Sequence, residues 1–310
     1  MDTVLILIAS PQAGGLDASL VSRAAASLSI KAQPDWLSEG EACELAFAAD
    51  EGSDPVAAEN TVRSALGDAP VDVAVLPAAG RKKQLLVADM DSTIIGQECI
   101  DELAAIAGVG EKVSEITARA MAGELNFEEA LRERLALLKG QPEGIIAEVI
   151  KTRITITPGA RQLVQTMKAN GALTGLISGG FTHFTGYVAK MCGFDEHQAN
   201  TLDITGGKLT GRPVEPILGQ KAKLRAIGQL TMMNGLSFSR TMAVGDGAND
   251  IPMLQRAGMG VAFHAKPVVR KSARIRIDHC DLTALLYLQG YRRDEFTTNA
   301  TPHSVKITTS

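Results

Sequence analysis

The sequence predicts an α/β fold: a Rossmann-like parallel sheet with a helical bundle inserted after its first strand, preceded by a smaller α+β unit. Three observations predict it. Apolar runs at Gln84–Ala88, Ala172–Ile177, Arg240–Val244 and Gly260–Ala262 are short, continuous and separated by helical segments. That is the pattern of strands buried on both faces of a parallel sheet. Between Ile100 and Ile150 strand signal almost vanishes and helical segments follow one another. Residues 1–80 carry their own alternation of short strands and helices.

In order along the chain, Val4–Ala9 reads as a strand rich in β-branched residues, and Leu16–Leu28 as a helix from the spacing of Leu16, Leu20, Val21, Ala24 and Leu28. Glu44–Ala49 is a second strand. Pro55–Leu66 is a helix with Asp54 as N-cap and Pro55 at its first position. Val71–Leu76 is a third strand, and Lys31–Leu37 holds a candidate edge strand interrupted by Pro34. Two strand–helix–strand units of this size resemble a ferredoxin-like βαββαβ domain of the ACT type, which sets the first domain at 1–80. No ligand motif marks it. A homodimer through this domain is the self-association the resemblance implies.

Ala78–Lys83 is small, glycine-containing and charged, and reads as a linker. The second domain is expected at 84–296. Helices at 100–107, 111–122, 126–139 and 142–151, punctuated by glycines, form a bundle at about 97–153, with Asn126 and Glu129 as an approximate capping box. Such a bundle would cap the carboxyl edge of the sheet. The polar, threonine-rich segment 297–310 is expected to be disordered.

Composition narrows the function. Apolar residues at 45% are ordinary for a globular protein with full-sized cores. A net charge of −4 removes the main electrostatic argument for nucleic acid as a partner. Cys43, Cys99, Cys192 and Cys280 lie far apart with no CxxC pair, which argues against a zinc site or a disulfide framework. The apolar run Val4–Ala9 is too short for a signal peptide and follows Asp2 rather than a basic stretch. No apolar segment approaches the length of a bilayer span, so the cytoplasm is the expected location and no membrane partner is expected.

Four segments carry chemistry. Asp89 and Asp91 end a buried strand and are followed by Ser92 and Thr93. One carboxylate can attack phosphorus, and the second can protonate a leaving alkoxide and later deprotonate water. Ser178, Gly179 and Gly180 follow the second apolar run; they offer a hydroxyl and backbone N–H groups that can approach a phosphate. Lys221 or Lys223 can hold a phosphate as a point charge. Gly245–Asp250, reading GDGxND after a strand, fits an oxygen-ligand site for a hard cation such as magnesium. A calcium EF-hand would need a longer acidic series ending in glutamate, which is absent.

In this order and context, the four segments resemble the haloacid dehalogenase superfamily over about residues 84–290, and within it the phosphoserine phosphatases. Glu98, the stretch Met121–Phe127 followed by Arg132–Arg134, and His264–Pro267 add to that likeness. The resemblance implies Asp89 as nucleophile and Asp91 as general acid/base. It implies Mg²⁺ held by Asp89, the Asp91 carbonyl and Asp246, with Asp250 in support. Ser178, Gly179 and a lysine would hold the phosphate, with Asn249 beside it. Glu98 and Arg134 would take the ammonium and carboxylate of phosphoserine, and Met121 and Phe127 would exclude water. The family's pattern aligns with Lys221; counting back from Asp246 without gaps favours Lys223, and Lys221 is the residue expected. The implied reaction is hydrolysis of O-phosphoserine, the last step of serine biosynthesis. Another phosphatase or phosphotransferase acting on a small phosphomonoester is the alternative. A sensor in which residues 1–80 bind an amino acid beside a residual site is opposed by the intact DxDST and GDGxND.

Overall fold

The computed structural model describes residues 2–49, 52, 54–121, 124–219 and 221–297, the side chain of Met121 excepted. The expectations for the segment beyond 297 and for Met121 as a shield therefore lie outside the described residues.

The chain opens with β1 (Thr3–Ala9), α1 (Ala18–Ser27), β2 (Asp35–Ser38), β3 (Ala42–Phe47), α2 (Pro55–Leu66) and β4 (Val71–Pro77). Asp17 and Asp54 cap the two helices, each accepting a backbone N–H. The four strands form an antiparallel sheet in the order β2-β3-β1-β4. Leu5, Leu7 and Ala9 of β1 pack toward Val21, Ala24, Val62 and Leu66 of the helices. Val4, Ile6 and Ile8 face the other way, into the core that contains Leu285, Tyr287 and Leu288. Burial on both faces explains why β1 reads as an unbroken apolar run.

Polar clasps fasten this sheet to the rest of the chain. Asp72 in β4, 1% exposed, accepts the backbone N–H groups of Asp278, His279 and Cys280. Glu59 on α2 takes Arg274 at 2.7 Å and the Val75 N–H at 2.8 Å. Arg81 in the linker pairs with Glu44.

The second sheet is all parallel. Its strands are β5 (Leu85–Ala88), β6 (Leu173–Phe181), β7 (Glu196–Asn200), β10 (Thr241–Gly245), β11 (Met259–Phe263) and β12 (Ile275–Ile277), in the order β12-β11-β10-β5-β6-β7. The intervening β8 (Leu202–Thr205) and β9 (Lys208–Pro213) pair as a separate hairpin. The chain leaves β5 to one side for β6 and returns on the other side as β10. The carboxyl ends of these three strands therefore bound a switch-point crevice, where open α/β sheets bind ligands.

Between β5 and β6 the insertion carries α3 (Cys99–Ile106), α4 (Gly110–Met121), α5 (Phe127–Ala136) and α6 (Gly144–Thr152). Asn126 and Glu129 make the full reciprocal capping box. The two chain crossings into this insertion run together: Ile95 bridges Ile156, and the Gly96 N–H donates to Thr155 O at 3.1 Å. Next come α7 (Ala160–Ala169), α8 (Thr182–Cys192), α9 (Lys221–Met233), α10 (Ile251–Arg256), α11 (Pro267–Ser272) and α12 (Ala284–Leu288). All four cysteines are buried and unpaired. Among the described residues no helix is long and apolar enough to cross a membrane.

Three features differ from the sequence reading. β7 and β12, the edges of the parallel sheet, were not expected; Glu196–Asn200 contains no apolar run and Ile275–Ile277 is only three residues with an arginine at its centre. The strand expected at Glu44–Ala49 lies at Ala42–Phe47. The strand ending in Ile177 continues through Ser178, Gly179 and Gly180 to Phe181.

Candidate active site

Asp89 follows β5 and is held by the sheet itself, its N–H donating to Val244 O at 3.0 Å. The chain then leaves extended geometry. Ser92 takes φ 53°, a left-handed conformation costly for a residue with a Cβ, which bends the chain just after Asp91. Asp89 is 5% exposed, and its Oδ1 accepts the Met90 N–H at 2.7 Å and lies 2.7 Å from Lys223 Nζ. Burial, and then the Asp250 charge, push the Asp89 carboxyl well above the usual carboxylate range, while Lys223 acts against them.

Asp91 is fixed from two sides. Oδ1 accepts the Cys99 N–H at 2.9 Å and Oδ2 accepts the Ser178 hydroxyl at 2.9 Å. Ser178 Oγ in turn accepts the Gly180 N–H at 2.8 Å. The approach is close enough to require glycine: a Cβ on Gly180 would sit 2.8 Å from Asp91 Oδ2.

From the far side of β5, the end of β10 supplies Asp246 and Asp250, 6% and 0% exposed. Lys223 Nζ lies 2.6 Å from Asp250 Oδ1, and Asp250 Oδ2 accepts the Gly247 N–H at 3.0 Å. Burial works against the Lys223 ammonium, but Asp89 and then Asp250 outweigh it and raise its pKa. The structure thus sets Lys223, and not the expected Lys221, against Asp89 and Asp250. Lys221 is exposed at the start of α9, whereas Lys223 is 4% exposed on the inner stripe formed with Ala226, Ile227 and Leu230. That stripe has helical spacing and was the sequence signal that separates the two lysines.

Oxygens of Asp89, Asp246 and Asp250 lie within 4.8 Å of one another. An all-carboxylate, buried donor set suits a hard divalent cation. Burial raises the Asp246 pKa, with Lys266 opposing, and a cation here would favour its charged form. Asp250 already uses both oxygens on Lys223 and Gly247, which leaves Asp89 and Asp246 as the better placed ligands.

Glu98 and Arg134 meet the same crevice from the helical insertion. Both line a cavity of ≈ 670 Å³ with Asp89, Asp91, Ser178 and Asp246. Gly179 and Asn249 line it too. Glu98 Oε1 accepts the Ser92 hydroxyl at 2.8 Å; burial and then the Asp91 charge push its carboxyl up to about 7. Arg134 is half-buried on α5, and its Nε donates to Ala130 O at 3.2 Å, leaving the terminal nitrogens for a ligand. Burial lowers its pKa, with Asp101 and Glu98 acting in the other direction. Phe127 of α5 presses on the main chain of Gly179, 3.0 Å from where a Cβ would stand. Lys266 received no role in the sequence reading, yet it lines the cavity, with its N–H donating to Asp246 O at 3.1 Å and Nζ 3.9 Å from Asp246 Oδ2.

Residues 86–255 match the family of haloacid dehalogenase-like hydrolases. The chain belongs to this family. Among its relatives, a phosphoserine phosphatase of Streptomyces coelicolor is 45% identical over 238 residues, covering 76% of this chain and 57% of the relative. The chain thus spans little more than half the length of that relative. A phosphoserine phosphatase of Haemophilus influenzae is 44% identical over 223 residues, 71% of each chain. A solved structure described as a phospho-aspartyl intermediate analogue of phosphoserine phosphatase is 41% identical, with a TM-score of 0.62, and covers 66% of this chain and 98% of its own. Within the haloacid dehalogenase-like hydrolase fold, the acidic crevice occupies the switch point between β5, β6 and β10.

Proposed function

We propose that this chain hydrolyses O-phosphoserine to serine and phosphate, with Mg²⁺ and an aspartyl-phosphate on Asp89. The observation that carries the reading is the placement of Glu98 and Arg134 in one cavity with Asp89, which pairs behind it with the buried Lys223. A zwitterionic phosphoester needs an anion and a cation at one end and a phosphoryl acceptor at the other, and an arginine can grip the carboxylate through two parallel hydrogen bonds. The relatives named above, one of them a phospho-aspartyl analogue, support the same substrate class and intermediate.

In the first displacement an Asp89 oxygen bonds to phosphorus and the bond to the serine oxygen breaks. Asp91, held by Cys99 and Ser178, delivers the proton to that oxygen. In the second, Asp91 takes a proton from water, the water oxygen bonds to phosphorus, and the bond to Asp89 breaks. Lys223 and the nearby main-chain N–H groups neutralise the phosphoryl oxygens, while the Ser178 hydroxyl keeps Asp91 in place. Asp89, Asp246 and the Asp91 carbonyl would hold Mg²⁺, which would supply positive charge to the transferring phosphoryl group. Asp250 keeps Lys223 aimed at Asp89.

The insertion α3–α6 acts as a cap that excludes water and opens for serine to leave, hinged where Gly96 and Thr155 cross. Residues 1–80 are read as a ferredoxin-like domain of the ACT type, supported by the strand order β2-β3-β1-β4 and helices after β1 and β3. The phosphatase domain, 84–296, carries its cap at about 97–153. A homodimer through residues 1–80 rests on the resemblance of that segment alone.

A phosphate-release panel tests the function. Phosphoserine, phosphothreonine, phosphoethanolamine and sugar phosphates are compared with and without Mg²⁺. Release from phosphoserine should dominate and should vanish with chelator; a sugar phosphate turned over faster would overturn the substrate assignment while leaving the phosphatase chemistry standing.

A further inference from the structure

We propose that Asn200 is a positioning residue for phosphoryl transfer, a brace that holds the two walls of the phosphate cradle in register. Asn200 ends β7, at the edge of the sheet, and lies opposite Phe181 at the end of β6. Its side chain is 2% exposed. Nδ2 donates to Gly179 O at 2.8 Å, and Oδ1 accepts the Leu218 N–H at 2.7 Å. Nδ2 also lies 3.5 Å from Leu218 O.

The first contact fixes a peptide plane. Gly179 O belongs to the same peptide as the Gly180 N–H, and that N–H donates to Ser178 Oγ. The hydroxyl thus oriented donates to Asp91 Oδ2. Asn200 therefore holds the Gly179–Gly180 peptide with its carbonyl away from, and its N–H toward, the serine that serves Asp91. Two glycines in succession leave this peptide otherwise free to flip. A flipped carbonyl would face Ser178 and Asp91 in place of a donor.

The second contact fixes the other wall. Leu218 and Gly219 lead into α9, whose start is tied by the Ala222 N–H donating to Gly219 O at 2.8 Å, and the next residue is Lys223. Gly179, Leu218, Gly219, Lys223 and Asn249 line one small pocket. One buried carboxamide thus couples Ser178 with Lys223. The amide offers the donor and the acceptor on two separate atoms that reach both walls; an aspartate keeps the acceptor and turns the donor into a repulsive oxygen, and a serine hydroxyl is too short to span them. No hydrogen bond recorded for Asn200 reaches Glu98 or Arg134, so the brace belongs to the phosphate end.

The proposal rests on the phosphatase reading above. The test measures kcat and KM of the full chain on phosphoserine and on p-nitrophenyl phosphate, inhibition by orthovanadate, and thermal unfolding, for wild type, Asn200→Asp and Asn200→Ser. Both variants should lose about 10- to 100-fold in kcat, equally on the two substrates, the cost expected of ångström-scale misplacement of catalytic groups. The vanadate inhibition constant should rise about tenfold with them, and the ratio of the two substrates' kcat/KM should stay at the wild-type value. Folded variants with wild-type kcat and vanadate inhibition would overturn the proposal, as would a loss confined to phosphoserine. Failure of both variants to fold would also overturn it and assign Asn200 to the fold alone. A wild-type protein that releases no phosphate from either substrate would instead sink the underlying phosphatase reading.

Discussion

The two ends of the cavity are built differently. At and behind the end proposed to take phosphate, Asp89, Lys223, Asp250 and Asp246 stand just after strands or on the inner face of a helix, all at most 6% exposed. The Asp89–Lys223, Lys223–Asp250 and Gly247–Asp250 contacts run between 2.6 and 3.0 Å and link β5, α9 and the loop after β10. At the end proposed to take the amino acid, Glu98 and Arg134 come from the inserted helices, are partly buried, and carry few side-chain contacts beyond Ser92 and Ala130. Chemistry needs groups held in place before the substrate arrives. Selection needs only that two charges reach the ligand when the insertion closes over it. The rigid end should therefore govern every phosphoester, and the loose end only those carrying an amino acid.

Asp89→Asn is the strongest way to break this contrast. It removes the attacking oxygen yet keeps the shape, and it takes one negative charge out of a buried cluster of three carboxylates with one lysine. Turnover should fall on the order of 10⁴-fold or more on phosphoserine and on p-nitrophenyl phosphate alike. The melting temperature should stay equal or rise, because an unfavourably buried carboxylate is gone. Appreciable residual turnover in steady-state assays of the folded variant would remove Asp89 from the nucleophile's role.

The same division explains what the sequence made legible. Asp89, Asp91 and Asp246 were readable because a buried parallel strand is an unbroken apolar run and its end marks the crevice. Lys223 was harder: two lysines share one turn, and only the inner stripe Lys223, Ala226, Ile227 and Leu230 distinguishes them. Asn200 left no local signal, since its value lies in contacts to main-chain groups 21 and 18 residues away. β7, which carries it, is an edge strand whose Glu196–Gln198 face solvent, so its burial pattern is not the two-sided one that betrays the central strands. The helical insertion was readable as helices from its periodicity and glycine breaks, but nothing in that periodicity fixes which of its charges turn inward.

Arg134→Ala sharpens the comparison from the other end. Truncation leaves a substrate carboxylate without its charged partner, a loss of about 1.5–3 kcal/mol, or roughly 10- to 100-fold in kcat/KM for phosphoserine. p-Nitrophenyl phosphate, which has no carboxylate, should stay within about threefold of wild type. Equal losses on both substrates would make Arg134 part of the phosphate end and erase the distinction.

The smallest expected effect is on Glu98, and it is visible in pH. Burial and the Asp91 charge hold its carboxyl at about 7, against an ordinary value of 4.5. The folded protein thus binds a proton there that the unfolded chain has released. The sign follows: stability of the free enzyme falls as pH rises from about 4.5 toward 7, and Glu98→Gln should flatten that part of the profile. For catalysis the direction reverses, because an ammonium is bound by the carboxylate and not by the acid. KM for phosphoserine should rise as pH falls below about 7, while KM for p-nitrophenyl phosphate does not share the rise, since that ester has no ammonium. In Glu98→Gln, KM for phosphoserine at pH 8 should be about tenfold higher than wild type. It should also lose the extra dependence on pH relative to p-nitrophenyl phosphate. A Glu98→Gln profile that keeps the wild-type difference between the two substrates would place the titrating group elsewhere and leave the ammonium without Glu98 as its partner.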